Sequence, residues 1–119
     1  MPRNISYALT TNQFRDRTKT VTRRLRWLKV KSGDVLQGVE KCQGIKPGEK
    51  VVKLGLIRVT DARREPLQRM IDDPEYGQSE AVKEGFPGLT GEQFVAMFCK
   101  SMKVDQSEIV TRIEYEYLE

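Results

Sequence analysis

Two stretches of alternating residues, separated by a segment with helical spacing, constrain the fold of this chain more than any other feature. The stretch VVKLGLIRVTDARRE has Leu54 and Leu56 on one face and Ile57 on the other, and it predicts a long central strand. The closing stretch EIVTRIEYEYLE predicts a half-buried strand whose inner face carries Ile109, Thr111, Ile113, Tyr115 and Tyr117. Because the last strand must return to the sheet after a helical insert, the order favours an α+β architecture.

The remaining segments complete this pattern. ISYAL, KTVTRRLRW (with Trp27 near its end) and the residues after SGD predict strands, whereas TTNQFRDRT predicts a short helix or a turn. Helices are predicted from Pro66 in PLQRMI, in SEAVKEGF up to Gly85, and in TGEQFVAMFCKSM after a Thr90-x-x-Gln93 capping box. We therefore expect a small, mostly antiparallel β-barrel or strongly curved sheet with flanking helices.

Length and composition predict a single domain over residues 1–119. No apolar run approaches the roughly 20 residues that cross a bilayer, and the start MPRNISYALTTNQ lacks a long apolar segment typical of a signal peptide. A cytoplasmic protein without a membrane partner is expected. Cys42 and Cys99 are too few for a disulfide framework and are expected to be free, buried thiols.

The chain contains no histidine, which excludes whole classes of chemistry. Ser-His-Asp and Cys-His catalysis and every zinc site that uses histidine are ruled out, and two cysteines alone cannot complete a thiolate zinc site. Acid–base chemistry must come from Lys, Glu, Asp, Tyr or Cys. Neither a metal nor another cofactor is expected.

The charge is distributed unevenly. Residues 1–60 carry 14 Lys/Arg and 4 Asp/Glu, a balance of +10, whereas residues 61–119 carry 7 and 13, a balance of −6. Between Arg15 and Lys31 there are eight basic residues and one acidic residue. This 15–31 stretch could bind RNA or another polyanion, or the acidic half of the chain could fold against it and neutralise it.

The motif RTKTVTRR combines threonines with cations. A threonine hydroxyl such as that of Thr22 needs a neighbouring base to act as a nucleophile. Lys19 can be that base only if burial or nearby cations lower its pKa, and Arg15, Arg17, Arg23 and Arg24 are close in sequence. The alternative is a solvated basic strand.

A second motif, EAVKEGFPG, places Glu84 just before Gly85 at a predicted helix end. Glu84 could project from the turn into a pocket, or it could be an ordinary surface glutamate. Four aromatic residues could stack on a base or belong to the core: Tyr7, Phe14, Trp27 and Phe86.

Taken together, these segments resemble the ASCH domain, a family of the PUA-like superfold. The resemblance covers most of the chain and rests on ISYALTTNQFRDRTKTVTRR, KSGDVL, EAVKEGFPG with the following EQFVAMFC, and VTRIEYEY. Its most specific part is Lys-Thr-x-Thr-x-Arg together with a glutamate, here Lys19, Thr20, Thr22, Arg24 and Glu84. The chain differs from the smaller members in its length, in the extra segment EKCQGIKPGEK and in having Arg23 where an apolar residue is expected.

The resemblance implies a small β-barrel with flanking helices and a cleft beside the barrel. One ASCH branch consists of amidohydrolases that remove the acyl group from N(4)-acylcytidine, and their catalytic lysine, threonine and glutamate fall on Lys19, Thr22 and Glu84. A small nucleoside is then the expected substrate, with Thr20, Arg23, Arg24, Phe14 and Phe86 as candidate binding residues. Since PUA-like domains often bind RNA, the alternative is a non-catalytic module for RNA or a modified nucleotide. The oligomeric state stays open.

Overall fold

A computed structural model describes residues 2–41 and 48–118. Cys42 and the first half of the predicted turn IKPGEK, residues 45–47, lie outside these residues. The described residues form five strands and four helices in the order β1 (Arg3–Ser6), α1 (Thr11–Arg15), β2 (Val21–Arg24), β3 (Val35–Val39), β4 (Lys53–Pro66), α2 (Arg69–Asp72), α3 (Pro74–Lys83), α4 (Gly91–Met102) and β5 (Ile109–Tyr117).

The strands form one curled, half-barrel sheet in the order β1-β3-β4-β5-β2. The pairs β3–β4, β4–β5 and β2–β5 are antiparallel, and only β1 and β3 run parallel to each other within the described chain. The predicted α+β architecture, a small barrel-like and mostly antiparallel sheet with flanking helices, is confirmed.

The long strand β4 was predicted correctly, and the structure shows which of its two apolar faces is the more buried. Ile57 and Val59 are almost fully buried, whereas Leu54 and Leu56 are only half-buried. The reason is register, because Ile57 pairs with Leu36 of β3 and both side chains enter the same core cluster. In this strand the apolar residues on both faces made the alternation ambiguous.

Strand β5 lies between β4 and β2 and is covered on both faces. Ile113 and Tyr115 are buried as predicted, but Ile109 is 50% exposed. Arg112, which the alternation placed on the opposite face, is also buried. Its partner is Glu80 of α3, so the helical insert covers the second face of the sheet.

The helical insert packs around a second apolar cluster that includes Leu67, Met70 and Phe94. The predicted capping box is present, since Thr90 and Gln93 exchange side-chain and backbone hydrogen bonds. Pro66 does not begin a helix; it is the last residue of β4, and α2 begins three residues later. No helix of the described part of the chain is both long and apolar enough to cross a membrane.

Candidate active site

The site lies where the segment leading into β2 meets the carboxyl end of α3. The backbone N–H of Thr20 donates to the carbonyl of Lys83 at 2.8 Å, and the carbonyl of Thr20 accepts from the N–H of Tyr115 at 3.1 Å. These two backbone bonds fix the segment between helix and sheet. They bring Lys19 against Glu84, which is the C-cap residue of α3, and they place Thr22 in the wall of the same cleft.

Lys19 and Glu84 form a buried pair. Lys19 Nζ donates to Glu84 Oε1 at 2.7 Å and to the Glu84 backbone carbonyl at 2.9 Å. Lys19 is 3% exposed and Glu84 is 2% exposed. Gly85 permits this contact, because its φ of +96° suits glycine and a Cβ there would lie 2.7 Å from the Gln13 side chain. Glu84 is therefore not a surface residue.

The surroundings of Lys19 disfavour the charged form of its side chain, with a net lowering of its pKa. Burial lowers the pKa of the Lys19 ammonium below its ordinary value, and the Glu84 carboxylate opposes this effect. The guanidinium groups of Arg24 and Arg23 lower that pKa further. A lysine whose charge is disfavoured in this way can serve as a base.

Thr22 lines the same cleft as Lys19 and Glu84. Thr22 is 3% exposed, and its Oγ1 accepts a hydrogen bond from Arg24 Nε at 2.9 Å. Within residues 2–41 and 48–118, no hydrogen bond joins Thr22 to Lys19. The expected direct hydrogen bond between Lys19 and Thr22 is therefore not formed in the described part of the chain, where Arg24 is the partner of Thr22 Oγ1.

Arg23 is among the residues that line the cleft, but its side chain is enclosed by carboxylates of the fold. Its guanidinium is fully buried and donates to three carboxylates: to Glu84 Oε2 at 3.0 Å, to Glu65 Oε2 at 2.8 Å and to Glu80 Oε1 at 2.6 Å. Arg112 donates to both carboxylate oxygens of Glu80 from the other side. Arg23 therefore holds the second oxygen of Glu84 while Lys19 holds the first.

In this buried cluster, Arg23 contacts the carboxylates of Glu65, Glu80 and Glu84, and Arg112 also contacts Glu80. Arg63 and Arg69 approach Glu65, and Lys83 approaches Glu80, from more exposed positions. Burial raises the pKa of the Glu80 carboxyl, but hydrogen bonds from Arg112 and Arg23 outweigh it and hold the pKa at about 2. Glu80 is therefore ionised at neutral pH, and the hydrogen bonds from Lys19 and Arg23 fix the orientation of the Glu84 side chain.

The cleft has a volume of about 480 Å³ and two chemically distinct sides. The polar side carries Lys19, Thr22 and Glu84 together with Arg23 and Arg24. The other side is apolar and comes mainly from α4 and the residues before it, with Phe86, Phe94, Met97, Phe98 and Met102. A cleft of this kind suits a small ligand with one polar reacting group and an apolar body.

Two of the predicted binding residues do not line the cleft. Phe14 is a core residue: its ring packs on Tyr7, with centroids 4.6 Å apart, and fills the space above Gly38, where a Cβ would lie 2.5 Å from it. Thr20 is connected to α3 and β5 by hydrogen bonds of its backbone N–H and carbonyl. Phe86 does line the cleft, where it contacts Phe94 with ring centroids 5.9 Å apart.

The basic 15–31 stretch is not one continuous charged surface. Lys19 and Arg23 are buried, Arg15 pairs with Glu40 at 3.5 Å, and Lys31 pairs with Asp34 at 3.1 Å. Several of its charged groups therefore already form ion pairs within the fold.

Sequence reasoning missed Glu65, Glu80 and Arg112. A signal was present for Glu80, because Glu80 and Glu84 are four residues apart and so lie on one side of α3. Two carboxylates in that arrangement repel each other unless a cation lies between them. The described residues contain no group of three or more His, Cys, Asp or Glu side chains suited to hold a metal ion.

Comparison of the chain with protein-family models, with curated proteins and with solved structures finds no match. A function for the cleft is therefore inferred from its geometry.

Proposed function

We propose that this protein is an amidohydrolase of the ASCH type, which removes the acyl group from N(4)-acylcytidine or a related modified nucleoside. Thr22 is the nucleophile, Lys19 is the general base, and Glu84 orients Lys19. The observation that carries the proposal is the buried bond of 2.7 Å between Lys19 Nζ and Glu84 Oε1, in the cleft that Thr22 also lines. A buried lysine with a lowered pKa is the kind of base that a threonine hydroxyl requires.

The bonding of Lys19 supports its role as a proton acceptor. A neutral lysine amine has two N–H groups and one lone pair. Lys19 donates to the Glu84 carboxylate and to the Glu84 carbonyl, so both N–H groups of the neutral form are used. The lone pair is left for the proton of Thr22.

In the first half of the reaction, the Thr22 hydroxyl transfers its proton to Lys19 while Oγ1 attacks the acyl carbonyl carbon. The tetrahedral intermediate collapses as the C–N bond breaks, and the Lys19 ammonium returns the proton to the departing exocyclic nitrogen. Cytidine leaves, and the acyl group remains on Thr22 as an ester.

In the second half, water attacks this ester, and Lys19 accepts a proton from the water. The ester bond breaks, the proton passes to Thr22 Oγ1, and the carboxylic acid is released. Arg24 supports both halves, because its hydrogen bond to Oγ1 stabilises negative charge on that oxygen and leaves the hydroxyl proton free. The apolar wall formed by Phe86, Met97 and Met102 accommodates the acyl group or the face of the base.

The test is incubation of the purified protein with N(4)-acetylcytidine, with cytidine and acetate measured by chromatography. The proposal expects cytidine and acetate to be released in equal molar amounts. If the protein releases neither but binds the acylated nucleoside or an RNA that contains it, the non-catalytic binding module replaces the amidohydrolase.

A further inference from the structure

A second pocket adjoins the active-site cleft. It has a volume of about 580 Å³, and its wall shares Ser6, Ala8 and Arg24 with the wall of the cleft. The other residues that line it are Arg3, Asn4, Trp27 and Lys41. We call it the basic pocket, because three of its seven lining residues are cationic and none is acidic.

The three cations of the basic pocket have no carboxylate partner in the described part of the chain. Arg24 donates to a hydroxyl, Arg3 lies over the ring of Trp27 with its guanidinium 3.7 Å from the ring centroid, and Lys41 is exposed. By contrast, Arg15, Arg23, Arg58 and Arg112 each pair with a glutamate. Three like charges around one concavity repel each other, and a bound anion relieves that repulsion.

The geometry also restricts where the anion sits. Arg24 lines both the cleft and the basic pocket and donates to Thr22 Oγ1, so a ligand bound at Thr22 lies beside the basic pocket. Stacking on Trp27 holds the Arg3 guanidinium in place, which lowers the entropic cost of an ion pair with the ligand. Arginine and lysine are the residues that bind phosphate oxygens best.

We propose that the basic pocket binds a phosphate group covalently attached to the nucleoside whose base occupies the active-site cleft. This inference rests on the proposed function and deepens it, because it makes the preferred substrate a phosphorylated acylcytidine rather than the free nucleoside. Arg3 and Lys41 are then specificity-determining residues outside the catalytic set. A nucleoside monophosphate and a short RNA share this chemistry, and the experiment separates them.

The experiment measures binding by isothermal titration calorimetry with cytidine, its 5′- and 3′-monophosphates and a short cytidine-containing oligonucleotide. Charge-assisted hydrogen bonds to phosphate predict that at least one monophosphate binds about 10- to 100-fold more tightly than cytidine. If a monophosphate binds more tightly than cytidine and the oligonucleotide does not, the ligand is a free nucleotide. If the oligonucleotide binds more tightly than the monophosphates, the ligand is RNA.

Matched variants assign the effect to the pocket. The double variant Arg3→Gln/Lys41→Gln should lose most of the phosphate advantage and keep its affinity for cytidine. Lys100→Gln is the control, since Lys100 is exposed and lines neither the cleft nor the basic pocket. The inference is overturned if no monophosphate binds more tightly than cytidine, or if the control variant loses the same advantage.

Turnover separates this inference from the proposed function. Hydrolysis of N(4)-acetylcytidine with no gain from a phosphate leaves the amidohydrolase in place and removes the phosphate site. Tight binding of a monophosphate that depends on the basic pocket, without hydrolysis of any acylated substrate, would support the phosphate site and remove the amidohydrolase. A higher kcat/KM for the phosphorylated substrate, lost in the double variant, supports both.

Discussion

Lys19 Nζ donates to both the carboxylate and the backbone carbonyl of Glu84, and the two side chains are almost fully buried. The backbone bond holds Lys19 against the end of α3 independently of the charge of Glu84. The carboxylate bond also orients Lys19, and in addition it raises the pKa of Lys19 against the larger, lowering effect of burial. Changes to the Glu84 charge should therefore alter the pH dependence of catalysis.

Thr22→Ala should lower turnover of N(4)-acetylcytidine by about 10³-fold or more, because it removes the proposed nucleophile. Thr22→Ser keeps a hydroxyl at nearly the same position and should retain measurable activity. Both variants should unfold at a urea concentration close to that of the wild type. Equal and mild losses in the two variants would reduce Thr22 to a hydrogen-bond partner of Arg24.

Glu84→Gln should move the alkaline-rising limb of the pH–rate profile to lower pH. The Glu84 carboxylate raises the pKa of Lys19, so its neutral isostere leaves burial to act with less opposition and the pKa falls further. Glu116→Gln is the control, because Glu116 pairs with Arg58 at 3.3 Å on the surface. A limb that stays in place or moves to higher pH would show that another group sets it.

Arg23→Met should destabilise the fold by about 3–5 kcal/mol, because it leaves Glu65, Glu80 and Glu84 buried without their shared cation. Arg58→Met removes an exposed pair with Glu116 and should cost less than about 1 kcal/mol. Chemical denaturation of both variants at neutral pH measures the difference. Similar small losses in the two would mean that the cluster contributes nothing beyond a surface pair.

The stability of the wild type should decrease as the pH falls from about 4.5 to about 2. The folded-state pKa of Glu80 lies near 2, below the ordinary value of 4.5, so its contribution is complete above 4.5 and is lost as protons bind. That shift corresponds to a contribution on the order of 3 kcal/mol. The free energy of unfolding against pH measures it, and a flat curve over this window would contradict the assignment.

The sequence predicted the elements well because their signals are local. Alternation located β4 and β5, and the Thr90 and Gln93 pair located the start of α4. Pro66 was misplaced because a proline at a strand end and one in a first helical turn leave the same local signal. In β4, apolar residues on both faces hid which side would be buried.

The site was only partly predictable, because its contacts join residues far apart in the chain. The motif resemblance selected Lys19, Thr22 and Glu84, and the structure brings them to one cleft. It did not reveal that Arg23 is enclosed by glutamates of β4 and α3, because a basic motif looks the same whether it is solvated or paired. Nor did it distinguish Phe14 in the core from Phe86 in the cleft, which depends on how α1 packs against the sheet.

The most direct test of the account compares the wild type with Lys19→Arg in the release of cytidine from N(4)-acetylcytidine across neutral to alkaline pH. Arginine keeps the positive charge but does not deprotonate in proteins, so it cannot accept the proton of Thr22. We expect wild-type kcat/KM to rise with pH as Lys19 loses its proton, and Lys19→Arg to be at least about 100-fold slower while remaining folded. Absence of cytidine release by the wild type, or substantial activity of Lys19→Arg with the same rising limb, would contradict the central claim that Lys19 activates Thr22.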